Sequence, residues 1–97
     1  MKTVRFLRPA EQEMLDAARY YEAQARGLGD DFLDKIDSAV RDITEHPERW
    51  PVLHLDVRRR FIHRFPYVLL YRVDAEEVVV LAVMHLHRNP HYWMNRL

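Results

Sequence analysis

Apolar and polar residues alternate from Thr3 to Arg8, with Val4 and Phe6 on one side and Arg5 on the other. A period of two over so short a run predicts a strand with one buried face. Pro9 ends it and suits the first turn of a helix. From Ala10 to Ala25 the apolar residues fall at Met14, Leu15, Ala18, Tyr21 and Ala25, which lines one helix face. Glu11, Glu13 and Asp16 stand in the early turns, where the helix dipole favours negative charge. Arg26-Gly27-Leu28-Gly29 breaks the helix, and a glycine just past a helix end readily turns left-handed. Asp30 or Asp31 can cap a second helix. Its stripe is Phe32, Leu33, Ile36, Ala39, Val40 and Ile43, and it stops before His46-Pro47. Two helices joined by so short a turn pack as an antiparallel hairpin.

Residues 47–57 hold two prolines and no period, and read as a connecting loop. Three strands follow. Arg58 to Phe65 alternates, and on a strand Arg58, Arg60 and Arg64 point one way and Arg59 the other. Pro66 marks a turn, and Tyr67 to Val73 is rich in strand formers. Asp74-Ala75-Glu76-Glu77 is a tight turn. Val78 to His87 is nearly all apolar, as a strand covered on both sides should be. Strand, helix, helix, strand, strand, strand is the order of an α+β domain. Two layers result, with a helix hairpin on a small, mostly antiparallel sheet whose other face is free to bind.

Composition narrows the class. The chain has 97 residues, 48% of them apolar and 31% charged, which suits one folded domain, residues 1–97, rather than a disordered chain. It holds no cysteine, so disulfides, thiolate nucleophiles and Cys-based zinc sites drop out, which fits a cytoplasmic setting. The N-terminus lacks a signal-peptide core. The longest apolar run is far shorter than the ~20 residues that span a bilayer, so no membrane partner is expected. The net charge is zero, but residues 11–48 are strongly acidic while residues 1–10 and 57–97 are basic. Phosphate-directed nucleic-acid binding would therefore depend on a local patch.

Arg58-Arg59-Arg60 with Arg64 is the densest candidate, because guanidinium forks match phosphate or carboxylate. The alternative is a charged edge strand that blocks aggregation, or pairing with the chain's own acidic helices. His85 and His87 share one face of the last strand, with Arg88 next. A histidine can move a proton or hold a metal, but two without a nearby carboxylate make no metal site, and none is expected. Tyr67, Tyr71, Tyr92, Trp93 and Trp50 could stack on bases, although such rings more often close a core. Tyr71 lies amid Leu69 and Val73 and reads as core, and Tyr21 as helix packing. No phosphate-cradling glycine loop or serine elbow is present, and no cofactor is implied.

Tyr20-Tyr21-Glu22, Gly27-Leu28-Gly29, Phe32 and Ile43 with His46-Pro47 resemble the helix hairpin of RelE/ParE toxins. Arg59, Phe65-Pro66-Tyr67 and Tyr71-Arg72-Val73 resemble their middle strands. His85-Leu86-His87-Arg88 with Pro90, Tyr92, Trp93 and Arg96 resembles their last strand and tail. The resemblance spans nearly the whole chain. It implies a toxin of a type II toxin–antitoxin pair, held inactive by a cognate antitoxin that lays a segment over its grooves and sheet edge. A homodimer and a toxin–antitoxin hetero-oligomer are both compatible with it.

The resemblance leaves two targets open. ParE-type members act against DNA gyrase and are not known as nucleases. RelE-type members cut messenger RNA on the ribosome, through attack of a ribose 2′-OH on the adjacent phosphate. For that chemistry Arg60, Arg64 and Arg72 would clamp phosphate, His85 would exchange the proton, and Arg88 and Tyr92 would assist. Target binding would fall to Arg58, Arg59, Arg60, Arg64, His87, Arg88, Trp93 and Arg96. The only lysines, Lys2 and Lys35, lie off the central sheet. Zero net charge suits a protein target better than RNA and tilts the reading toward the gyrase binder. A non-toxic interaction module is the remaining alternative.

Overall fold

In a computed structural model, which describes residues 2–97, the chain begins β1 (Thr3–Phe6), α1 (Arg8–Gln24) and α2 (Leu28–Glu45). It continues β2 (Val52–His54), β3 (Val57–Phe61), β4 (Tyr67–Val73) and β5 (Glu77–His85), and ends in a 3-10 turn, Met94–Arg96. The strands form one sheet in the order β1-β5-β4-β3-β2. β1 pairs parallel with β5, and every other pair is antiparallel. The expected two-layer α+β architecture is what forms. The helix hairpin carries the chain from one edge of the sheet to the other, because β1 and β2 are the two edges.

Four sequence expectations need correction. Residues 47–57 are not all loop: Val52–His54 adds a short edge strand to β3, which the flanking prolines conceal. The strand expected through Phe65 stops at Phe61, and Arg64 sits in a turn with φ of 73°, so it shares no strand face with Arg58 and Arg60. β5 ends at His85, two residues short of His87. Neither Asp30 nor Asp31 caps α2. The carboxylate of Glu22, on the preceding helix, accepts from the N–H groups of Gly27 (2.9 Å) and Gly29 (3.0 Å). Those amides open α2 and have no partner within the helix. Gly27 takes the left-handed conformation, φ 85°, that this turn requires.

The larger core lies between the helices and the sheet. Phe32, Ile36, Ala39 and Ile43 of α2 and Ala10, Ala17 and Ala18 of α1 meet Ile62, Leu69, Tyr71, Val78, Val80 and Val83. At its centre Tyr21, Phe32 and Phe65 pack with ring centroids 4.8–5.4 Å apart. The helices approach so closely that a Cβ on Gly29 would stand 2.6 Å from the Ala18 carbonyl oxygen. Tyr71 is fully buried and donates its hydroxyl to the Pro47 carbonyl (2.9 Å), fixing the segment after α2. Burial lifts its pKa from 10.0 to about 12, against the opposing pull of Arg58 and Arg60.

β5 carries a bulge that decides which side chains meet. Leu70 pairs with Ala82 but Tyr71 pairs with Val80, which leaves Leu81 unpaired. Leu81 and Ala82 therefore both pack on the face away from the helices, with Val57, Val68, Leu70, Val79, Met84 and Trp93. Beyond the bulge the alternation is inverted, so Val83, and His85 two residues on, face the helices.

Candidate functional site

The face away from the helices holds a groove of about 290 Å³. Its floor is Val68 and Leu70 of β4 and Met84 of β5. One wall is Leu53, His54, Arg59 and Phe61, and the other is Pro90, His91, Trp93 and Met94 of the C-terminal segment. Trp93 is 1% exposed, and its indole N–H donates to the Pro90 carbonyl (2.7 Å). Phe61 (50% exposed), Val52 (50%), Leu53 (41%), Leu86 (43%) and Leu55 (74%) leave apolar surface open along the β2–β3 edge and the groove mouth. This concentration of exposed apolar side chains makes the region the candidate interaction face.

Strand parity divides the arginines. Arg59 projects with Val57 and Phe61 onto the groove side, its guanidinium 5.5 Å from the Phe61 ring centroid. Arg58 and Arg60 project with Ile62 to the helix side. There Arg58 donates to the carbonyls of Trp50 (2.7 Å) and Glu48 (3.1 Å). Arg60 binds Asp42 of α2 at 2.8 Å, donates to the Phe61 carbonyl and lies 5.1 Å from the Trp50 ring centroid. The Nε of Arg60 is buried without a partner. Arg72 is held by Asp74 at 3.3 Å at the far end of β4. Arg64 is exposed, 5.6 Å from the Phe65 ring centroid. Among the described residues, Arg59 and Arg64 are the members of this set with no hydrogen-bonded carboxylate or carbonyl.

His85 and Arg88 share a second hollow, of about 310 Å³, beneath α1. Glu13, Asp16, Ala17, Tyr20, Tyr67 and Val83 complete its lining. The His85 ring sits edge-on to Tyr67 (5.0 Å) and to the exposed His87 (5.2 Å). Its Nδ1 accepts the His87 backbone N–H at 3.0 Å, so a neutral ring carries its proton on Nε2. Of the residues considered for RNA cleavage, the structure gathers His85, Arg88 and Tyr92. Arg60 and Arg72 lie on opposite faces of the sheet.

Glu13 is the residue that the sequence reading placed at a helix start and gave no further part. Its carboxylate accepts the Tyr92 hydroxyl (2.6 Å), two N–H groups of Arg96 (both 3.0 Å), Arg88 (3.4 Å) and the Val83 backbone N–H (3.1 Å). Two guanidinium groups approach the Tyr92 ring, Arg88 at 3.7 Å and Arg96 at 4.9 Å from its centroid. Burial, reinforced by the bond to Glu13, pushes the Tyr92 pKa well up, so its hydroxyl stays a donor. The same carboxylate holds the Arg96 pKa above its ordinary value. Glu13 lies three residues after Ala10 and four before Ala17, on the side of α1 that the fold buries, which the stripe of Met14, Leu15, Ala18 and Tyr21 does not mark.

Among the described residues, no group of three or more histidines and carboxylates is placed to hold a metal ion. No helix there is long and apolar enough to cross a membrane.

Comparison with known proteins supplies the family. None of the curated proteins compared with the chain matches it. Among solved structures, a chain of the chromosomal ParDE TA system from P. aeruginosa superposes with a TM-score of 0.62 at 18% identity, over 90% of this chain and 98% of that one. At that identity the likeness establishes a shared fold. The model of the ParE toxin of the type II toxin–antitoxin system parDE matches residues 4–90, nearly the whole folded unit. With the helix hairpin, the sheet order and the tail already described, this match makes the chain a member of the ParE toxin family of type II toxin–antitoxin systems.

Proposed function

We propose that this toxin acts by binding a protein, DNA gyrase, and that a cognate antitoxin neutralises it by laying an apolar, acidic segment into the sheet-face groove. One observation carries the reading. The most apolar hollow of the molecule is a groove with a single arginine on its rim, whereas the cations suited to phosphate chemistry are divided between the two faces and mostly held by the chain itself. An apolar centre with a polar rim is the anatomy of a protein–protein contact. Phe61, Leu53 and Leu86, all exposed at the groove, would receive apolar anchors, with buried Trp93 backing one wall, and Arg59 would receive a carboxylate. Zero net charge agrees with a protein target.

Expression of the chain alone tests this. Growth arrest with stalled gyrase–DNA complexes and intact messages is the expected outcome, relieved by Phe61→Asp. Ribosome-dependent message cleavage lost in His85→Ala would replace it with the nuclease reading. Normal growth with well-folded protein would leave only the interaction module.

A further inference from the structure

The C-terminal segment is tied to the body in an unusual way. Its backbone hydrogen bonds are local: Arg88 to His85, Tyr92 to Asn89, Met94 to His91, Arg96 to Trp93 and Leu97 to Met94. Among the described residues, no strand or helix of the body pairs with its backbone. Beyond the packing of Trp93, Tyr92 and Met94, its attachment is three side chains converging on one carboxylate, plus Arg96 donating to the Leu81 carbonyl at 3.0 Å. Glu13 is 14% exposed and Arg96 15%, so their contact is largely withdrawn from water, whereas Arg88 is half exposed.

We infer that Glu13 is the fastening of a C-terminal strap, residues 87–97, and that this remote carboxylate controls whether the groove on the other side of the sheet is formed. This rests on reading the groove as the docking site. The strap supplies one whole groove wall, including Trp93 and Met94. Glu13 is not among the groove-lining residues, yet it holds Arg88 before that wall, Tyr92 within its span and Arg96 after it. It also accepts the Val83 N–H, so strap and strand share one anchor. That hydrogen bond and the one from Arg96 to Leu81 satisfy groups on either side of the β5 bulge, past the end of β1 at Phe6. Removing the negative charge leaves two guanidinium groups close to one tyrosine ring without the carboxylate they share, and their repulsion loosens the strap.

Glu13 is thus a positioning residue, and hydrogen exchange in the free, full-length chain separates that role from docking. In Glu13→Gln, amides of residues 91–97 should exchange about 10-fold faster or more, while those of Phe32 and Ile36 keep their rates. Asp16→Asn, which removes an exposed neighbouring carboxylate, should change neither. Tyr92→Phe deletes one donor and keeps the charge, so it should speed strap exchange in the same direction by a smaller factor. It decides the matter should Glu13→Gln unfold. Unchanged strap exchange in both variants overturns the inference. A growth test adds the link to the groove: a loosened strap with undiminished arrest would overturn that link. Absence of arrest with the unaltered chain would sink the docking reading instead, and exchange would still decide the fastening.

Discussion

The two faces of one sheet use the same residue types to opposite ends. Toward the helices, arginine is a structural residue: Arg58 ties down the segment after α2 through backbone carbonyls, and Arg60 reaches Asp42 across the layer. On the open face Arg59, one residue away from each, lies beside the ring of Phe61 and, among the described residues, its guanidinium has no hydrogen-bonded partner. Aromatic residues divide likewise. Phe32 is fully buried in the helix layer, while Phe61 is half exposed at the groove mouth. A residue's availability here follows from strand parity. The cluster Arg58-Arg59-Arg60 is a cationic patch in sequence and three differently employed side chains in space.

Substitutions can break that contrast. The largest effect is expected at Phe32→Ala, which empties the aromatic centre of the covered face and should cost about 3–5 kcal/mol in denaturant unfolding. Phe61→Ala should change stability by less than about 0.5 kcal/mol, since its ring is half exposed, yet abolish growth arrest. Equal stability losses at the two sites would refute the division. Gly29→Ala forces a Cβ against the Ala18 carbonyl and should cost about 1–3 kcal/mol, read as a lowered melting temperature.

Alkaline pH probes the covered face from within. The Tyr71 pKa is raised from 10.0 to about 12, so the unfolded chain loses that proton first. Stability from this group is complete below about pH 10 and falls as pH climbs toward 12, by on the order of 2 kcal/mol. Urea titrations across that range should show the fall, and Tyr71→Phe should reduce it. Asp42→Asn should cost about 1 kcal/mol, because Arg60 is mostly shielded but Asp42 is half in water. The smallest effect is Arg59→Ala, within about 0.5 kcal/mol in stability, with slower and less salt-sensitive association with the partner.

Much of this organisation was legible in the chain. The α2 stripe from Phe32 to Ile43, the strand Tyr67–Val73 and the left-handed turn at Gly27 follow from spacing and glycine alone. The alternation of Arg58 and Arg60 against Arg59 was legible too, although not which side would be covered. Other features were hidden for identifiable reasons. Val52–His54 is a three-residue edge strand with every side chain exposed, so it shows no alternation between core and solvent. The β5 bulge falls inside an unbroken apolar run, where shifting parity leaves no trace, and with it went the side of the sheet on which His85 lies. The helix-capping role of Glu22 and the hub at Glu13 depend on contacts between distant segments, the latter joining residues 13 and 96, and no local rule reaches so far.

The parallel pairing of β1 with β5 has a consequence for the timing of synthesis. Residues 3–6 cannot find their partner until residues 77–80 have been made, after both helices and three other strands. Everything translated before then lacks the neighbour that closes that edge. A nascent or prematurely terminated chain therefore has neither a finished sheet nor a groove. The proposed docking surface comes into being only after β5 and the segment that follows it have been translated.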